Sequence, residues 1–182
     1  YKAIATDPKN AFAAHALGEM YYNGSGVPRD CVKAYQFFKS SVELGLGNTT
    51  GIYPDSCFMT GLILMEFYKN NAEAVPYFTE AAKYGNYPSA WHNLGVLCEA
   101  GAMNIPKSEI PGTAMSFYKE AADMGFVRSM DEIGRIYCAA QMFEQAMPWL
   151  QKAAAQGYGP AQKRLKIVQR VQQGASIFDL FK

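Results

Sequence analysis

The sequence predicts an all-α protein, an α/α solenoid of about four helix-turn-helix repeats closed by a C-terminal capping helix. Three observations lead there. The string Ala-Ala-x-x-Gly occurs at 81–85, 121–125 and 153–157, where composition alone would give well under one copy. Seven residues upstream of each first alanine stands another alanine (Ala74, Ala114, Ala146), followed by an aromatic pair or near pair: Tyr77-Phe78, Phe117-Tyr118 and Trp149-Leu150. A looser fourth copy runs through Ala34, Phe37-Phe38, Ser41 and Gly45. Ahead of each copy lies a recurring glycine, Gly18, Gly61, Gly95 or Gly134, with Ala14, Cys57, Trp91 and Met130 one turn before and Tyr21, Leu64, Cys98 and Tyr137 about one turn after.

These spacings put small and bulky residues on one helical face. A glycine inside a helix costs about 1 kcal/mol against alanine, so its recurrence asks for a packing reason, and the close approach of a second helix supplies one. Each repeat is therefore a helical hairpin. Repeat one, at about 9–45, opens at Thr6-Asp7-Pro8-Lys9-Asn10, carries a long turn from Gly24 to Asp30, and leaves by a long link from Leu46 to Asp55. Repeat two, at about 53–85, turns tightly through Lys69-Asn70-Asn71. Repeat three, at about 88–125, has a long turn from Gly101 to Gly112, and repeat four, at about 127–157, a tight one near Ala140-Gln141. The long turns, rich in Gly, Asn and Pro, are expected to project from the scaffold. Pro160 to Val171 aligns as one more first helix with Lys166 in the glycine's place, and Lys163, Arg164 and Arg170 join it in a polar outer side suited to a cap. Tyr1 to Ala5 reads as the tail of a preceding second helix, and the apolar stretch from Ser176 to Lys182 should pack on something. The organisation is a single solenoid domain over 1–182, with the cap and tail at 160–182.

Composition narrows the function classes. Hydrophobic residues make up 49% and charged residues 18%, enough apolar material for a core and inconsistent with a disordered chain. A formal charge of +1 offers no global field toward nucleic acid or an anionic membrane, and no apolar run approaches the roughly twenty residues that cross a bilayer. Cys31, Cys57, Cys98 and Cys138 are scattered singly, without Cys-x-x-Cys spacing. They are expected to be small buried hydrophobes, and unpaired thiols lean toward a reducing compartment such as the cytoplasm.

Gly24-Ser25-Gly26-Val27-Pro28-Arg29-Asp30 followed by Lys33-Ala34 resembles the loop signature of Sel1-like repeats, a longer-looped relative of the tetratricopeptide repeat. The resemblance covers about Lys9 to Gly157. It is strong in repeat one and good in repeat three, whereas repeats two and four are closer in length to plain tetratricopeptide units. The resemblance implies a right-handed superhelix that holds protein partners, and the residues themselves offer no reaction-competent set and no cofactor motif. In that family the first helices line the concave side. The positions three before, one after and four after each recurring glycine then face a groove: His15, Glu19 and Tyr22; Phe58, Leu62 and Met65; His92, Val96 and Glu99; Asp131, Arg135 and Cys138. An apolar middle between polar ends suits an extended or helical peptide. The Lys and Asn clamp of the family's chaperone-tail binders does not recur, since the residues after the glycines are Glu19, Leu62, Val96 and Arg135.

Catalytic and metal readings fare worse. Ser116-Phe117-Tyr118-Lys119 fits the Ser-x-x-Lys spacing of hydrolases acting on amide or β-lactam substrates, but the partner strings Ser-Asp-Asn and Lys-Thr-Gly are missing and Phe117-Tyr118 is the core pair. Gly24-Ser25-Gly26 lacks the Lys and Ser/Thr of a phosphate loop and is a turn. His15 and His92 stand three residues before a recurring glycine with few further ligands nearby, so solvent-facing helix positions are expected rather than metal. The basic residues of the last helix lie beside no aromatic platform, which favours a solvated cap over nucleic acid. The leading expectation is a scaffold or adaptor binding a protein segment in the groove. The alternative is a regulatory or assembly module of a larger protein binding through the projecting long turns, and a hydrolase acting through Ser116 ranks behind both.

Overall fold

The computed structural model describes residues 10–45 and 51–174. Among them every regular element is an α-helix: α1 (Ala11–Asn23), α2 (Cys31–Gly45), α3 (Ile52–Glu66), α4 (Asn71–Tyr84), α5 (Pro88–Glu99), α6 (Ile110–Asp123), α7 (Val127–Ala139), α8 (Phe143–Ala155) and α9 (Gly159–Gln172). Each helix packs chiefly on its neighbours in sequence, and α1 also reaches α3 while α7 reaches α9. That is the nearest-neighbour stacking of a solenoid.

Local chemistry sets the helix ends. The Asn10 side chain caps α1 by accepting from the Ala13 N–H at 3.0 Å, and Asp30 does the same for α2 through the Lys33 N–H at 3.0 Å. At α4 the cap is reciprocal, because Asn70 accepts from the Glu73 N–H and its own amide donates to the Glu73 carboxylate. Pro88 and Pro160 occupy first-turn positions of α5 and α9, where a missing N–H costs nothing. Pro54 does likewise in α3, so that helix starts at Ile52 and the link expected to run to Asp55 ends at Gly51. Residues 1–9, 46–50 and 175–182, which include the expected helix tail at Tyr1 to Ala5 and the apolar stretch at Ser176 to Lys182, lie outside the described residues.

The recurring glycines meet the second helices as the spacing requires. A Cβ placed on Gly18 would lie 2.7 Å from the Phe38 ring, on Gly95 2.5 Å from Tyr118, and on Gly134 2.4 Å from Leu150, while Gly61 is looser at 3.1 Å from Phe78. Phe38, Phe78, Tyr118 and Leu150 are fully buried, as are Ala34, Ala74, Ala114 and Ala146 one turn earlier. The first member of each aromatic pair is only partly buried and serves the joints between hairpins; Phe117, for example, stacks on Trp91 at 6.0 Å.

Three expectations need correction. The long turns fold down onto the scaffold: Ala102 and Met103 pack on the cluster shared by the second and third hairpins, Met103 and Ile105 on the one shared by the third and fourth, and Val27 on that of the first. Their apolar side chains have more to gain from that surface than from water. Arg164 is not on the outer side of the cap, for its guanidinium is turned inward onto Asp131. Of the cysteines, Cys57 and Cys98 are fully buried, whereas Cys31 and Cys138 are only partly so; all four are free thiols. Burial pushes the Cys57 thiol up to about 12.

Candidate partner-binding groove

The twelve residues at the three groove positions fall into two groups. Those three before the glycine belong to the joints between repeats. His15 is buried, and its Nδ1 lies 2.8 Å from the Ser56 hydroxyl of α3; Ser56 is in turn 2.8 Å from the Ser41 hydroxyl, which donates to the Ala11 carbonyl. His92 repeats the arrangement two hairpins later, its Nδ1 2.9 Å from Ser129 of α7 and its ring between Tyr118 and Phe126. The expectation of solvent-facing histidines is therefore corrected. The first helix of the next hairpin meets each ring through a small side chain, Ser56 or Ser129. Burial holds both imidazoles below their ordinary pKa, and for His92 the Arg128 charge adds to burial and lowers it to about 4. The neutral ring is thus the form built into the joint.

Phe58 and Asp131 fill the same position in the other two hairpins. Phe58 stacks on Tyr87, the residue that caps α5, with centroids 5.1 Å apart and planes within 5°, and meets Phe78 edge-on. Asp131 is 2% exposed beneath α9, where one carboxylate oxygen pairs with Arg164 and the other has no hydrogen-bond partner. A buried carboxylate needs that counter-charge.

The positions one and four after the glycine stay accessible. Glu19, Val96 and Glu99 are exposed, and Tyr22, Leu62, Met65, Arg135 and Cys138 are partly buried. Along the stack the row runs from acidic Glu19 through apolar Leu62, Met65 and Val96 to a charged cluster. In that cluster Glu99 accepts from the Tyr118 hydroxyl at 2.8 Å and from Arg135 Nη2 at 2.7 Å, while Arg135 Nε pairs with Glu132. Beyond it a cleft of about 260 Å³ opens between α7, the start of α8 and α9, lined by Arg135, Cys138, Phe143, Arg164, Ile167 and Val168. The α9 side of this cleft escaped the sequence reading. The available signal was the alignment of α9 as a further first helix, which puts Ile167 directly after Lys166, in the register of Arg135.

The chemistry of other candidate sites is thin. Among the described residues no group of three or more His, Cys, Asp or Glu side chains could hold a metal ion, and no helix is long and apolar enough to cross a membrane. Ser116 is exposed, and its hydroxyl donates to the Thr113 carbonyl at 2.7 Å.

Comparison with known proteins agrees with this architecture. The chain resembles c5321, a protective antigen of uropathogenic Escherichia coli with an SLR fold, at 26% identity and a TM-score of 0.73 over 90% of this chain and 35% of that one. A Sel1 repeat protein from Oxalobacter formigenes gives 27% identity and a TM-score of 0.69, covering 86% of this chain and 61% of the other. The chain thus spans less than two thirds of either protein. YrrB, a TPR protein with an unusual peptide-binding site, shares the fold at 15% identity, with a TM-score of 0.68 over 97% of this chain and 84% of that one. No curated protein matches the chain. The Sel1 repeat model matches residues 11–46, 88–126 and 143–158, half of the chain. The two matches from residues 11 and 88 take in the long-turned hairpins, and with half of its length matched the chain belongs to the Sel1 repeat family.

Proposed function

We propose that this chain is a non-catalytic binding module that holds a segment of a protein partner along the row of first helices. The observation that carries this reading is the accessible apolar stretch of Leu62, Met65 and Val96, set between the Glu19 end and the Glu99–Arg135 cluster on consecutive first helices. Apolar side chains left open on a rigid scaffold provide anchoring pockets for an extended or helical peptide, and flanking charges set its direction. A peptide-binding site in YrrB, a protein of the same fold, is consistent with it. Neither nucleic acid nor a membrane enters the reading, and Ser116, bonded to a backbone carbonyl, is a surface residue.

The test uses Leu62→Ser, Met65→Ser and Val96→Ser, with circular dichroism to check that the fold holds, because Leu62 and Met65 also pack partly on the core; Phe58 is avoided because it supports the joint to α5. Screening a peptide library against the parent and the triple variant should show binders weakened about tenfold or more. A variant that binds every selected peptide as the parent does would remove the groove from consideration. The reading through the long turns has less apolar surface to draw on, since Met103 and Ile105 are partly buried against the core clusters and the exposed residues between and beyond them, such as Asn104, Lys107 and Ser108, are polar.

A further inference from the structure

Where α2, the end of α3 and the start of α4 meet, a second cavity of about 310 Å³ is lined by Tyr35, Leu64, Tyr68, Asn70 and Glu73. None of these occupies a groove position. Tyr35 and Tyr68 meet edge-to-face with centroids 5.1 Å apart, and Phe67 abuts Tyr68 at the same distance. Glu73 forms the remaining wall. Its carboxylate accepts from the Tyr35 hydroxyl at 3.3 Å and from the Asn70 amide at 2.7 Å, two neutral donors, and it makes no ion pair among the described residues. The aromatic walls are a departure from the repeat: at the position of Tyr35 the other second helices carry Val75, Met115 and Met147. Phe67 and Tyr68, 52% and 42% exposed, stand in a turn whose counterpart in the fourth hairpin offers Ala140 and Gln141. Large aromatic side chains kept in water at one turn call for an occupant.

We propose that this pocket receives a cationic side chain, a lysine or arginine of a protein partner, against the rings of Tyr35 and Tyr68 with Glu73 as counter-charge. Aromatic faces attract an ammonium or guanidinium group, and a carboxylate held by neutral donors keeps its full charge for the ligand. Buried Leu64 offers the aliphatic stem an apolar floor. Lys39 Nζ already lies 5.8 Å from the centre of the Tyr35 ring without lining the cavity, so this ring accepts ammonium within the chain itself. An anion would be repelled by Glu73, and a purely apolar side chain would strip water from that carboxylate without replacing it.

NMR titration of the isotopically labelled chain tests this with three probes: N-acetyl-Gly-Lys-Gly-amide, its norleucine counterpart, and choline. The lysine peptide should give saturable shifts at the Tyr35 and Tyr68 rings and the Glu73 amide, with the norleucine peptide about tenfold weaker. Tyr68→Leu and Glu73→Gln, both at exposed positions, should each weaken the lysine peptide by a similar factor while circular dichroism stays unchanged. Equal response to lysine and norleucine, response to choline alone, absence of any saturable shift, or variants that bind as tightly as the parent would each overturn the proposal. If Tyr68→Leu loses its fold, the lysine-to-norleucine comparison and Glu73→Gln decide the matter alone.

Discussion

At the scale of single residues, the recurring glycines share one steric cause but differ in how much room they have. Alanine at position 95 would set its Cβ 2.5 Å from the buried Tyr118 ring, whose hydroxyl is held by Glu99; at position 61 the nearest ring atom is 3.1 Å away. Overpacking costs about 1–3 kcal/mol, against about 1 kcal/mol gained in helix propensity. Gly95→Ala should therefore destabilise clearly, while Gly61→Ala comes out near neutral, as read from urea denaturation midpoints. His92 yields a second prediction. Its folded-state pKa of about 4 lies below the ordinary histidine value of 6.5, so the unfolded chain binds the extra proton. Stability contributed by the neutral ring is complete above about pH 6.5 and is lost as the pH falls toward 4. Denaturation at pH 7 and pH 5 should differ by on the order of 2 kcal/mol from this residue, and His92→Asn should flatten that difference. The glycines were legible in the sequence because backbone cost makes them conspicuous. The histidines' true place was not, because a histidine beside a solvated row and one beneath the next helix have the same local sequence; only the recurrence of Ser56 and Ser129 opposite them tells the two apart.

At the scale of elements, turn length was legible and turn conformation only partly. The tight turns of the second and fourth hairpins place non-glycine residues in the left-handed region, Lys69 at φ 56° and Gln141 at φ 58°, whereas the long turn of the third uses Gly101 at φ 71°. A side chain there costs about 1 kcal/mol. Gly101→Ala, with open space around it, should lose about that much, and Lys69→Gly should gain a smaller amount, since glycine's looser unfolded state offsets part of the relief. Thermal melts of the two variants give opposite signs if this account is right. Pro76 and Pro148 sit inside α4 and α8, where proline ordinarily breaks a helix. They are tolerated on exposed faces, because the carbonyls they leave without an N–H, those of Ala72 and Glu144, belong to exposed residues that water can reach.

At the scale of the whole molecule, stability is a sum over hairpins and the joints between neighbours. The last joint depends on Arg164, the one guanidinium paired with buried Asp131. Arg164→Ala should cost about 2 kcal/mol by leaving that charge uncompensated, a figure discounted because Arg164 itself is a third exposed. Adding Asp131→Asn should recover part of the loss, and hydrogen exchange should show α9 and the fourth hairpin opening before the rest.

The sequence by itself determined the all-α hairpin stack, the register of glycine against aromatic, and the alternation of long and short turns, because each follows from spacing within about forty residues. It also laid out the row of groove positions as a list. Which members of that list face solvent was decided by tertiary structure alone. His15, His92 and Asp131 are buried with partners on the next first helix along the stack, Ser56, Ser129 and Arg164, and packing from another repeat leaves no periodic mark on the residues it covers. The aromatic pocket around Glu73 is likewise a product of three elements meeting, built from Tyr35 and Tyr68, neither of which belongs to the repeating pattern.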